Sequence, residues 1–495
     1  MHINNSTIKK RLRSFTICAT ASLLLALFAI SVQTPQTAQA ATGSRAIGSG
    51  QFGPQVHAAS GDSSSQTVAT PATGSDSLQS RGLAPNPPKP QYDLQEAVHR
   101  ALSENFSILA AEENLQSSES WRKAVRGTFG PSLDTSYGYT HSQHSDDDLY
   151  SWRVALTQDV FSGFSTLASY QKAALQRDSA TASLAKARLD LILTVQQNFF
   201  AYLKAVEDVR SAQDSYNRLA EQLRVTSSFY NVGLRPHLDV LQAEANLSEA
   251  EDVLLRANNS VEIQRVRLNT LLNLPLDSQP EYIGQLDFIP FTGSLDQCLE
   301  QAYRQRPDIN MALKSIDIAQ QDKTSAASGF YPKIQGELAW ATQGDQWSAD
   351  GNDNRPTKYS EWSVKLTGNL NLFKWGNTYY DVQQNSHNIA RLRAEEADLR
   401  QEVAYQVQSR LLELDNAAKR ILVARKGLAQ ASEAYRVASA RYRSQVGTSI
   451  DVLDAQATLT AAEASLTGAQ ADYLSALAAT YNAIGEESPG LSAAQ

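Results

Sequence analysis

An internally duplicated chain, mainly α with membrane β, is the fold class the sequence predicts, and three observations predict it. Two stretches, Gly163 to Asn231 and Gly376 to Arg443, run nearly seventy residues without proline, far beyond the usual globular helix. Four segments of roughly ten residues alternate apolar and polar side chains, the period of a strand with different surroundings on its two faces. The same features then recur at a nearly fixed offset, which is the mark of an internal repeat.

The first forty residues set the compartment. Lys9, Lys10, Arg11 and Arg13 make a basic start, Ile17 to Val32 is an apolar run, and Ala38-Gln39-Ala40 offers a small-x-small cleavage site. Residues 1–40 therefore read as a secretory signal peptide, with a mature chain beginning near Ala41. Cys18 lies inside the apolar run and no cysteine stands at the expected mature N-terminus, so a lipid anchor is not indicated. Cys298 alone remains, which rules out an intrachain disulfide and leaves packing or oligomerisation to hold the exported protein together; Cys298 is expected to be a small buried residue. Cleavage removes four basic and no acidic side chains, taking the net charge from −8 to about −12, a balance that argues against nucleic acid as a partner. Residues 41–90 are rich in Ser, Gly, Ala, Thr, Gln and Pro and read as a disordered linker, and residues 486–495 as a similar short tail. No run of eighteen or more apolar residues follows Ala41, so any membrane crossing has to use strands.

The first repeat spans 91–293 and the second 294–485. Leu94, Ala101 and Pro131 return as Leu295, Ala302 and Pro332 at an offset of 201, whereas Tyr230, Asp239, Val240 and Leu241 return as Tyr442, Asp451, Val452 and Leu453 at 212. The extra residues fall between Pro332 and Phe373, in a longer second loop. Each repeat opens with a helix-like segment, 93–127 and 295–328, whose apolar residues recur at three and four and which stops at Gly130-Pro131 or Tyr331-Pro332. Two strands follow. Leu133, Thr135, Tyr137 and Tyr139 alternate with polar neighbours, as do Tyr150, Trp152, Val154, Leu156 and Val160. Ile334, Leu338 and Trp340, then Trp362, Val364, Leu366, Leu370 and Leu372, repeat the pattern.

Next come the proline-free stretches, each roughly 100 Å long if helical. Leu191, Val195, Phe199 and Tyr202 match Val403, Val407, Leu411 and Leu414, a coiled-coil-like seam. Sharp turns at Val232-Gly233-Leu234-Arg235-Pro236 and Val446-Gly447-Thr448-Ser449 lead into return helices over 237–272 and 450–484. Long helix pairs together with membrane-type strands imply a composite, a barrel in the bilayer with a helical tube projecting from it. Four strands do not close a barrel, but three subunits giving four each make twelve, an even number in the observed range.

On these residues the chain resembles the TolC-like outer-membrane efflux proteins. The resemblance runs from Leu94 to Gly485, and its most specific elements are Tyr230-Asn-Val-Gly233-Leu-Arg-Pro-His-Leu-Asp239 and Tyr442-Arg-Ser-Gln445-Val-Gly447-Thr-Ser-Ile-Asp451-Val-Leu-Asp454. It implies a trimeric α-helical barrel continuous with a twelve-stranded outer-membrane β-barrel and spanning the periplasm of a Gram-negative bacterium. The helix-turn-helix tips form a closable entrance. Such homotrimers are passive channels of tripartite efflux or type I secretion systems; they dock onto a periplasmic adaptor and an inner-membrane transporter of the ABC, RND or another class, and conduct small molecules or proteins. By position Asp451 and Asp454 match inward-facing aspartates of the pore constriction, and Asp239 and Tyr442 match residues that help hold the entrance shut; Tyr230, Gly233 and Gly447 belong to the tips that gate or meet the adaptor.

Asp451 and Asp454 lie three apart, hence on one helix face, and threefold symmetry would gather six carboxylates. Such a ring selects cations and raises the pKa of its members by mutual repulsion. Both positions equally suit a helix N-terminus, where carboxylates are favoured anyway. Two departures stand out: Gln445 replaces the glycine that often follows the tyrosine by three, and Gly447 stands where the best-known member has arginine, so the closing contacts do not carry over intact.

Other chemistry is sparse. His141 and His144 beside Asp146, Asp147 and Asp148, and the acidic Asp345, Asp350 and Asp353, read as solvated loop residues. No Walker loop, Gly-x-Ser-x-Gly elbow or Cys-x-x-Cys is present, so neither an enzyme, a cofactor nor a bound metal is expected. Trp121, Phe199 and Phe200 read as core, and Trp152, Trp340, Trp362 and Trp375 as membrane-interface aromatics. The rival readings are a periplasmic coiled-coil structural or adaptor protein without a pore, which leaves the strands unexplained, and a diffusion porin, which would be mostly strand.

Overall fold

The computed structural model describes residues 90–142, 145–349, 359–488 and 491. The expected signal peptide and nearly all of the expected linker lie outside them. The elements in order are β1 (Gln91–Tyr92), α1 (Leu94–Glu104), α2 (Phe106–Gly127), β2 (Ser132–Ser142), β3 (Ser145–Phe161), α3 (Ser165–Asn231), α4 (His237–Leu271), β4 (Glu281–Tyr282), α5 (Leu295–Gln305), α6 (Pro307–Ala327), β5 (Lys333–Gly344), β6 (Tyr359–Asn369), α7 (Asn377–Arg443) and α8 (Ser449–Ile484). α3 and α7 are 67 residues each, roughly 100 Å of helix.

The duplication extends to local devices. Asp93 and Glu96 form a capping box at the start of α1, and Ser294 and Gln297 form its counterpart on α5, each satisfying two backbone N–H groups that the first turn leaves open. Where strand passes into long helix, Gly163-Phe164 and Trp375-Gly376 both take two successive positive φ angles, with glycine at opposite positions of the pair.

The opening segments differ from expectation, because each is two helices and not one. Asn105 is extended, ends α1 and caps α2 by accepting from the Ser107 N–H at 2.9 Å; its amide donates to the Leu271 carbonyl. Arg306 breaks the second segment at the equivalent place, since the ring of Pro307 drives the preceding residue out of helical conformation. The apolar spacing continues across both breaks, and so conceals them.

β2, β3, β5 and β6 form one antiparallel sheet in that order. Its register aligns the alternation of all four strands. Leu133, Leu156, Leu338 and Val364 form one row across the sheet, and Thr135, Val154, Trp340 and Trp362 the next. The other face carries the row Asp134, Ala155, Ala339 and Ser363 and the Arg153–Glu337 ion pair. The apolar face is exposed: Trp362 and Leu366 each retain 73% of their accessible surface. Among the described residues β2 and β6 are the sheet's edges, each paired on one side only. Among the described residues no helix is long and apolar enough to cross a membrane.

The core sits midway along the helices, where α1, α5 and the β1–β4 pair surround α3, α7 and α8. Leu191, Val195, Phe199, Tyr202, Val403, Val407 and Leu414 of the expected seam are buried, with Leu411 packed against them. Cys298 is also buried here. Two expectations fail. Trp121 is 57% exposed, unlike Phe199 and Phe200, because among the described residues no element covers that face of α2. Part of the expected tail packs into the core: Leu491 is buried, and the Ser488 carbonyl accepts from the Gln196 amide at 2.6 Å.

Candidate functional site

The tips joining α3 to α4 and α7 to α8 carry the residues singled out from the sequence. Each long helix ends in the same hydrogen-bonded turn. Gly233 N–H donates to the Tyr230 carbonyl and Leu234 N–H to the Phe229 carbonyl, both at 2.9 Å; Gln445 N–H donates to Tyr442 and Val446 N–H to Arg441 at 2.9 and 3.0 Å. The pattern requires a left-handed residue after the helix. Gly233 supplies it with φ +77°, and Gln445 does so with φ +63°, in a conformation that disfavours a side chain.

Gly447 serves a different need. Its backbone is not left-handed, but a Cβ there would lie 3.2 Å from both Arg441 Cβ and the Tyr442 nitrogen. It lets the second tip close tightly. At Gly233 a Cβ would meet nothing within 4 Å.

Tyr442 is the anchor between the tips. It is 0% exposed, its hydroxyl lies 2.9 Å from Thr226 Oγ1 on α3, and the Arg235 guanidinium stands 5.1 Å over its ring. Arg235 Nη2 also donates to the Gly447 carbonyl at 2.7 Å. The first tip thus holds the second through a cation–π contact and a charge-assisted hydrogen bond. Tyr230, the counterpart of Tyr442, is exposed and packs on His237 at 5.1 Å. The sequence pattern does not mark Thr226 and Arg235 as site residues. Arg235 stands inside the first tip motif beside Pro236, the one signal pointing to it; the Thr226 contact joins residues 216 apart and has no local signature.

Asp451 and Asp454 are both exposed near the start of α8. Asp451 forms a capping box with Thr448: its carboxylate accepts the Thr448 N–H at 3.0 Å, while Thr448 Oγ1 accepts the Asp451 N–H at 3.2 Å. The Thr448 backbone N–H holds the Asp451 pKa below its ordinary value. Within one subunit the direction is therefore opposite to the rise expected of a carboxylate ring. Asp239 occupies the equivalent place in the first turn of α4, but Pro236 at the cap position makes no side-chain cap. The Tyr442 hydroxyl is paired with Thr226 and not with Asp239.

Elsewhere, His141 Nδ1 lies 2.9 Å from Asp148 Oδ1. His144, Asp350 and Asp353, and the side chains of Asp146 and Asp147, fall outside the described residues.

The outer membrane efflux protein family model matches residues 97–274 and 298–486, one span for each repeat and each including a tip. The chain belongs to the outer membrane efflux protein family. Among similar relatives are outer membrane protein TolC of Vibrio cholerae, 23% identical over 74% of this chain and 94% of the relative, and the cobalt-zinc-cadmium resistance protein CzcC of Cupriavidus metallidurans, 25% identical over 79% and 87%. The fold matches that of the Campylobacter jejuni CmeC outer membrane channel, with a TM-score of 0.70 at 16% identity over 80% of this chain and 86% of that one. As a member of the efflux protein family the chain is an outer-membrane channel component and not an enzyme. The expected fold class, a helical barrel joined to a membrane β-barrel with four strands from each subunit, is that of this family's channels.

Proposed function

We propose that three copies of this chain form a passive duct from the periplasm to the outside, with the tips as its closable entrance and Asp451 and Asp454 as a ring of carboxylates at the constriction. The observation carrying this reading is the four-stranded sheet, predominantly apolar on one face and, among the described residues, without a partner strand at either edge, since in hydrocarbon every strand edge must find a partner. A sheet of this kind is a sector of a barrel. The exposure of both aspartates supports the ring. In the working assembly the tips meet a periplasmic adaptor, and an inner-membrane transporter selects the cargo, because a wide duct wall offers little specificity.

Single-channel conductance in planar bilayers tests the reading. Wild type should conduct cations preferentially and be blocked by a trivalent cation such as hexaamminecobalt. Asp451→Ala/Asp454→Ala should lose most of that block. Unchanged block would remove the ring and keep the channel; a folded trimer without conductance would favour the non-pore coiled-coil reading.

A further inference from the structure

The two repeats fix which residues meet between copies of the chain. We propose that β6 of one copy pairs antiparallel with β2 of the next in a single register that sets Leu366 beside Tyr139 and Gly368 beside Tyr137. This rests on the trimeric reading above and specifies its joint.

The argument uses the repeat as a ruler. An offset of 201 carries β2 onto β5, and 212 carries β3 onto β6. The β2–β3 hairpin tests that mapping. Its pairs Ser132–Thr157, Leu133–Leu156 and Tyr137–Trp152 transpose to Lys333–Asn369, Ile334–Gly368 and Leu338–Val364, and all three are pairs in the β5–β6 hairpin. The two hairpins therefore share one register residue for residue.

Only one other joint exists within the sheet, the pairing of β3 with β5, where repeat meets repeat. Transposing it through the same offsets turns β3 into β6 and β5 into the β2 of a second copy. Val154–Trp340, Leu156–Leu338 and Gln158–Gly336 then become Leu366–Tyr139, Gly368–Tyr137 and Leu370–Thr135. The transposed pairs keep the faces consistent, with Leu366, Tyr139 and Tyr137 joining the apolar rows. A slip of one residue would turn one strand's apolar side chains to the polar face.

A second feature lies just below the strands. Inside the chain Gly163 sits against the end of the preceding helical segment of the other repeat, and a Cβ there would come 2.7 Å from the Ser328 carbonyl oxygen and 3.0 Å from Tyr331 Cβ. The same transposition places Trp375 against Gly127 and Gly130 of the neighbouring copy. Gly127 has open space around it, and the nearest atom to a Cβ on Gly130 is the Gly127 carbonyl oxygen at 3.5 Å. Glycine facing larger residues within a chain becomes tryptophan facing two glycines between chains. Trp375 is 87% exposed in the isolated subunit and gains a cover in this joint, as does Trp121, which transposition sets opposite α7.

The test is crosslinking in the full chain, reconstituted in liposomes, with both native cysteines replaced (Cys18→Ala, Cys298→Ala). Leu366→Cys/Tyr139→Cys should be joined by a short bifunctional maleimide into a covalent trimer at least tenfold faster than Leu366→Cys/Leu133→Cys, whose partner lies six residues along the same face, roughly 20 Å away. A trimer in which the second pair reacts as fast or faster overturns the register and leaves the trimeric reading standing. A parent protein that is folded but not trimeric overturns both. Should the paired variants fail to assemble, Trp375→Cys decides: protection from a water-soluble maleimide in the trimer supports the joint, and full labelling overturns it.

Discussion

The two tips are built on one backbone and held by different means. In the first, Gly233 takes the left-handed turn at no steric cost, Pro236 opens α4 without a side-chain cap, and Tyr230 lies at the surface. In the second, Gln445 takes the same turn against its preference, Thr448 and Asp451 cap α8, and Tyr442 is wholly buried under Arg235. The first tip is relaxed and the second is strained at one residue and fastened at three. The duplicated sequence thus keeps one hydrogen-bonded turn in both tips while the side-chain contacts that fasten them differ.

The sharpest way to break this comparison is to remove the anchor. Tyr442→Ala deletes a fully buried aromatic ring and leaves the Thr226 hydroxyl without its partner, a change that costs about 3–5 kcal/mol at a core site. Tyr230→Ala, at the matching but exposed position, is expected to cost under about 1 kcal/mol. Urea unfolding of the two variants, read by helix content, measures the contrast; equal losses would show that the tips are not held differently.

A second pair of variants tests the strain, and its two members should differ in sign. Gly233→Ala forces a Cβ into the left-handed region and should destabilise by about 1 kcal/mol, whereas Gln445→Gly should be neutral or stabilising by up to about 1 kcal/mol. Space is not the issue at Gly233, where a Cβ meets nothing, so conformation alone is measured. Destabilisation by Gln445→Gly would mean that the glutamine side chain makes a contact worth more than its strain.

How much of this was legible in sequence follows from what each feature depends on. The long helices were readable to within two residues at each end, because proline-free length and a repeated seam are local signals. So was the alternation of the strands, which the register then aligns into common rows, although Leu370 and Leu372 lie beyond the end of β6 at Asn369. The breaks at Asn105 and Arg306 were hidden by continuous apolar spacing, although Pro307 signals one of them. Trp121 reads as core in the sequence because aromatic character does not say whether a helix face is covered. Burial of Leu491 was masked by the polar composition around it. At the site, positions of the tip residues were legible, but the clamp was not: Thr226, Arg235 and Tyr442 come together only when α3 and α7 lie side by side. In the sequence the left-handed Gln445 shows only as a missing glycine.

The smallest expected effect concerns pH and bears on the same asymmetry. Asp451 carries a pKa below its ordinary value, first because it accepts the Thr448 backbone N–H and then through its hydrogen bond with the Thr448 side chain. A carboxylate with a depressed folded pKa contributes stability that is complete above its unfolded value and is lost as pH falls through the folded one. The capping hydrogen bond is made within each subunit, so it lowers the Asp451 pKa in any assembly and opposes the rise that neighbouring carboxylates would bring. Hydrogen exchange at the start of α8 should therefore stay slow through the ordinary carboxylate range and accelerate only below it, while the start of α4, lacking the capping box, shows no such step. Asp451→Asn should abolish the step, and Thr448→Ala should speed exchange at all pH values by roughly the factor of five that loss of about 1 kcal/mol of capping implies. A step centred above the ordinary carboxylate range would show instead that mutual repulsion in the ring outweighs the cap.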